Sequence, residues 1–88
     1  MQIDGSIVTE QGLTFAIVVV KSQVVQTESS ADKARRGSST IVDFAGLPII
    51  LAAQDARGVF TYQGRPDIVK FLANIDASRI PWKHYTVS

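Results

Sequence analysis

Leu13-Thr14-Phe15-Ala16-Ile17-Val18-Val19-Val20 is rich in β-branched residues and apolar at both parities. A strand with one face in water alternates apolar with polar side chains. This run does not alternate, which is the pattern of a central strand covered on both faces. Leu47-Pro48-Ile49-Ile50-Leu51-Ala52-Ala53 repeats the pattern and marks a second buried strand.

The flanking segments follow from these two strands. Before the first, residues 3–9 have β character, and Glu10-Gln11-Gly12 is a polar break of hairpin length. After it, Lys21-Ser22-Gln23-Val24-Val25-Gln26 prolongs the strand weakly. In Ser29-Ser30-Ala31-Asp32, a serine followed three residues on by an acid is a variant of the capping box. From there Ala31, Ala34, Ser38, Ile41, Val42 and Ala45 fall on one helical stripe, which predicts an amphipathic helix reaching Ala45, with Gly37 as a breaking point. Gly46 and Pro48 end it.

Beyond the second buried strand, Gln54-Asp55-Ala56-Arg57-Gly58 reads as a hairpin loop. Val59-Phe60-Thr61-Tyr62-Gln63 then pairs back, with Phe60 and Tyr62 on one face. Gly64-Arg65-Pro66-Asp67 opens a helix, since proline suits its first position and aspartate its positive end. Ile68, Val69, Phe71, Leu72 and Ile75 follow at core-facing spacing. Residues 77–88, with Pro81, Trp82 and Tyr85, form an extended tail or edge strand.

The 88 residues include nine Lys/Arg and eight Asp/Glu, for a net charge of +1, and 45% are apolar. This is a single globular domain. Cysteine is absent, which removes disulfide frameworks, thiol catalysis and Cys-ligated metals together. The one histidine, His84, leaves little material for imidazole metal sites, and no metal or other cofactor is expected. Met1-Gln2-Ile3-Asp4-Gly5 has no basic n-region or long apolar core, and no run approaches the ~20 residues of a spanning helix, so a cytoplasmic protein without a membrane partner is expected. Lys33, Arg35 and Arg36 form a short basic cluster beside Asp32, too small for the stripe of a nucleic-acid binder.

The expected fold is therefore α/β, of the α+β two-layer kind: β-β-α-β-β-α and a C-terminal tail, with a mixed sheet of four to five strands. Two helices can cover only one face of a four-stranded sheet, so the other needs a cover, either the tail or a second copy. A homodimer or a protein partner is expected on that ground.

Leu47-Pro48-Ile49-Ile50-Leu51, Asp55-Ala56-Arg57-Gly58, Tyr62-Gln63-Gly64 and the helix from Asp67 to Ile75 resemble the C-terminal half of a thioredoxin-like fold. The likeness covers about 30 residues, and the strand from Leu13 and helix from Ser30 extend it to a βαββα core. It implies a cis Pro48 facing Ser29 and Ser30 across a groove. Where the family carries redox cysteines this chain has Glu28-Ser29-Ser30-Ala31, so the groove binds without oxidising. A ferredoxin-like βαββαβ layout, with the tail as last strand, is the alternative.

Candidate ligand-binding residues are accordingly Ser29, Ser30, Leu47 and Pro48, with Arg65 at the second helix entry. Trp82 and Tyr85 are candidates for a partner interface or for closing the core. His84 has no polar partner nearby in sequence and reads as a surface residue. Asp4, Glu10, Asp43, Asp55 and Asp76 read as caps and turns. No nucleotide, zinc-protease or hydrolase motif occurs. The sequence thus points to a non-catalytic interaction module that self-associates or binds a protein, with a small ligand-binding or enzymatic domain around Ser29, Ser30, Leu47 and Pro48 as the second reading.

Overall fold

The computed structural model of the chain describes residues 2–10 and 12–86. Gln11, in the middle of the expected hairpin break, and the last two residues of the expected tail lie outside the described residues. The rest forms an α+β domain with a five-stranded mixed sheet and two helices, the fold class the sequence predicts. Strands β1 (Gln2–Glu10) and β2 (Leu13–Val20) make an antiparallel hairpin. Strand β3 (Ile49–Gln54) runs parallel to β2, β4 (Phe60–Gln63) antiparallel to β3, and β5 (Lys83–Thr86) antiparallel to β1. The order across the sheet is β4-β3-β2-β1-β5, which leaves β4 and β5 as its edges.

Both parities of β2 are buried, as the lack of alternation requires. Phe15 and Ile17 meet Ile50 and Ala52 of β3 on one face, where Ile68 and Leu72 of α2 (Pro66–Leu72) and Ile80 cover them. Ala16 and Val18 meet Leu51 on the other, covered by Ala31 of α1 (Glu28–Ser38) and by Ile41 and Phe44. The expectation that both helices share one face is thereby corrected. The chain crosses one face between β2 and β3 and the opposite face between β4 and β5, so each face receives one short helix. Among the described residues only Val42, 87% exposed, and Val59, 55% exposed, are large apolar side chains left in water. An uncovered sheet face is therefore no reason for a partner.

Three local expectations are also corrected. Residues Ser22–Gln26 leave the sheet as a 3-10 turn, which lays Val24 and Val25 on the α1 side of the core instead of prolonging β2. Helix α1 starts earlier and stops earlier than predicted. Thr27, extended at φ −129°, is its cap and accepts from the Ser30 amide, so Ser29 and Ser30 lie inside the first turn. At the other end the hydroxyls of Ser38, Ser39 and Thr40 donate back to the carbonyls of Ala34, Arg36 and Gly37, which closes the helix before Ile41. The rest of the predicted stripe is a separate 3-10 turn, Val42–Phe44, which buries Phe44. The ferredoxin-like alternative is corrected as well: that layout splits each parallel pair with an intervening strand, whereas β2 and β3 are direct neighbours and β5 pairs with β1.

Candidate interaction surface

The residues singled out in the sequence are spread over the molecule. Ser29 and Ser30 are exposed at the start of the β2-to-β3 connection, and Leu47 and Pro48 are half-buried at its far end. The bond before Pro48 is trans, against the implication of the thioredoxin-like likeness, and the Pro48 carbonyl accepts from the Ala16 amide at 2.9 Å as β3 enters the sheet. Arg65 is held by Asp67 through two hydrogen bonds of 2.7 and 3.1 Å. Arg35 of the basic cluster pairs with Asp32 at 3.0 Å.

Trp82 and Tyr85 fall on opposite faces. Trp82 packs with its ring centre 5.4 Å from that of Phe60 and donates its indole N–H to the Ala77 carbonyl at 3.0 Å. Tyr85 lies 4.7 Å from Phe44, ring centre to ring centre. Burial, with the negative charge of Asp43 as a lesser cause, pushes the Tyr85 phenol up from its ordinary value.

His84 has a polar partner after all. Strand β5 places it directly opposite Asp4 on β1, and Nδ1 meets the carboxylate. Both side chains are exposed, so the pair is a cross-strand surface contact rather than a desolvated acid–base site. Among the described residues no group of three or more His, Cys, Asp or Glu is placed to hold a metal ion, and no helix is long and apolar enough to cross a membrane.

Among the described residues, three of the cavities that open on the surface stand out. One, about 220 Å³, lies beside the start of α2 between Leu13, Phe15 and Phe71. Another, about 700 Å³, runs along β5 past Ile41, Val42, Lys83 and Tyr85. The third, about 520 Å³, is a groove between β4 and the end of α2, lined by Val59, Phe60, Tyr62, Val69, Ile75 and Asp76 among others. Neither Ser29, Ser30, Leu47 and Pro48 nor Arg65 lines any of the three.

The β4 groove has a feature that sequence reasoning missed. The Asp55 amide donates to the Val59 carbonyl at 2.9 Å, so these residues are a hydrogen-bonded pair at the end of the β3–β4 ladder. Such pairs alternate along an antiparallel ladder. In the observed register Thr61 and Gln63 therefore bond to β3, and the N–H and C=O groups of Phe60 and Tyr62 point out from the sheet. The turn that sets this register is tight: Gly58 donates to the Asp55 carbonyl at 3.0 Å and takes φ +84°, the left-handed position of a three-residue hairpin loop. Tyr62, on the groove face, has its phenol pushed up by burial and secondarily by the charge of Asp76. The sequence signal was present, since residues 59–63 contain neither a charge nor a proline.

Fold and surface together define a small α+β domain with an open, uncharged sheet edge beside an apolar groove. Comparison of the chain with family models, with curated proteins and with solved structures gave no match.

Proposed function

We propose that this domain is a non-catalytic interaction module that accepts an extended protein segment on the open edge of β4. The observation that supports this reading is the outward aim of the Phe60 and Tyr62 backbone groups beside an apolar groove. An added strand satisfies those groups through main-chain hydrogen bonds, and its alternate side chains reach the groove face. This is binding without bond making. The surface needs no nucleophile or proton relay, and the only His–carboxylate pair among the described residues lies elsewhere and in water.

The experiment is an amide NMR titration with end-capped, uncharged heptapeptides alternating valine, threonine and tyrosine. The expected result is shifts and slowed hydrogen exchange centred on Phe60 and Tyr62, with a change in emission from Trp82, the sole tryptophan, whose ring touches Phe60. Perturbation confined to β5, or none at saturating peptide, rejects the proposal.

A further inference from the structure

We infer that the strand received by β4 is β4 of a second copy of this chain, paired antiparallel about a two-fold axis at Thr61. The inference rests on the strand-accepting reading above and names its occupant.

The two edges of the sheet are built differently. Edge β5 carries Lys83 and His84 and is entered through Pro81, devices that discourage further pairing. Edge β4 has none of them: residues 59–63 read Val-Phe-Thr-Tyr-Gln, β-branched or aromatic at four of five positions and without charge. Such an edge left bare is an aggregation hazard, so it is the one built to be covered.

Its geometry is self-complementary. The outward backbone groups belong to Phe60 and Tyr62, placed symmetrically about Thr61. An antiparallel copy sets Phe60 opposite the second copy's Tyr62 and the reverse, so four outward groups on each side find partners. The same pairing brings aromatic side chains together across the junction on the groove face, a favourable cross-strand combination.

The charges do not oppose it. Asp55 and Arg57 pair in the turn before β4, and Arg65 and Asp67 pair just after it. The two-fold at Thr61 turns Arg57 toward the second copy's Arg65 and Asp55 toward its Asp67, and because each of these charges is already paired within its own chain, neither end adds net charge against docking. A foreign segment has no charge on this edge to be selected by; a like strand fits its pattern. Because the strand is only four residues long, the contact falls below the roughly 1,600 Å² of a standard interface, and the dimer is concentration-dependent.

The absence of cysteine gives a clean test. Thr61 of each copy becomes a non-hydrogen-bonded pair with Cα atoms about 4.5 Å apart, within disulfide reach. Thr61→Cys is expected to form a covalent dimer under mild oxidation at high micromolar protein, and His84→Cys on the other edge is not. Thr61 is exposed, so charge is tolerated there in the monomer. Thr61→Lys and Thr61→Glu are each expected to remain 9.6 kDa monomers by light scattering, with native circular dichroism, and an equimolar mixture to restore the dimer. Wild-type protein that stays monomeric at high micromolar concentration, while its Phe60 and Tyr62 amides still respond to the heptapeptides, overturns the second copy and leaves the strand-accepting edge standing. A dimer cross-linked by His84→Cys and not by Thr61→Cys overturns both.

Discussion

The Ser6 hydroxyl donates to the Pro81 carbonyl at 3.1 Å, across 75 residues of sequence, and ties the first strand to the segment that leads into the last. Ser6 is 1% exposed, the most deeply buried polar side chain among the described residues. Substitution Ser6→Ala removes the buried donor of a part-buried hydrogen bond and leaves the carbonyl of exposed Pro81 without it. The expected loss is about 1–2 kcal/mol, read as a lower urea midpoint at unchanged slope. An unchanged midpoint means that water replaces the hydroxyl without cost.

Two glycines give effects of opposite sign. A Cβ on Gly5 would lie 2.6 Å from the Ile17 carbonyl oxygen on the paired strand and 3.4 Å from the Phe44 ring. Neither neighbour yields cheaply, because one is sheet backbone and the other is fully buried. Gly5→Ala is expected to cost about 2–3 kcal/mol, in the range of overpacking. Gly37 sits in the last turn of α1 with nothing within 4 Å of a Cβ. Gly37→Ala is expected to stabilise by about 0.5 kcal/mol. Paired thermal and urea denaturation checks both, and a stabilising Gly5→Ala contradicts the β1–Phe44 packing.

The same packing shows what the sequence could carry. The burial of β2 on both faces was legible because it depends only on which residues stand at odd and even positions. Helix α2 was legible from Pro66 and the spacing of Ile68 and Leu72, although it ends at Leu72 rather than at Ile75. Which face each helix takes was not legible. A stripe such as Ala31 and Ala34 says that a helix is covered, and the path of the connection decides by what. The Asp4–His84 contact and the openness of β4 depend on strand order and on register between distant residues. Local patterns do not encode either. The uncharged run from Val59 to Gln63 was visible in the sequence, and only its place at the edge gives it meaning.

Three aspartates set an acid limit on stability. The Asp55 carboxyl is held below its ordinary value of 3.8 chiefly by the Val59 amide, with the Arg57 amide adding to it. Asp67 is lowered chiefly by the Arg65 guanidinium, and Asp76 by the Ser78 amide. Each binds a proton more readily unfolded than folded, so the stability it contributes is fully present above 3.8 and is lost as pH falls through the lower folded value. Tyr62 and Tyr85, shifted up, act in the reverse sense: their contribution holds below 10 and is lost as pH rises through their folded values. The expected thermal midpoint is flat across neutral pH and falls at both extremes. Asp55→Asn keeps the accepting oxygen and is expected to flatten the acid limb. A limb of unchanged steepness removes Asp55 from the account.

The tail closes both faces of the core at once. Trp82 reaches the α2 face and Phe60, and Tyr85, three residues on, reaches Phe44 on the α1 face. Strand β5 also covers the Gln2-to-Gly5 part of β1, which otherwise becomes an edge. Ending the chain after Ile80 is expected to abolish cooperative unfolding. Trp82→Ala in the full chain is expected to cost about 3 kcal/mol, the low end for a buried tryptophan because this one is half-buried. The readouts are far-UV circular dichroism and the sharpness of the denaturation curve. If the truncated chain folds cooperatively and differs only in its association, the tail is a partner surface and the core closes without it.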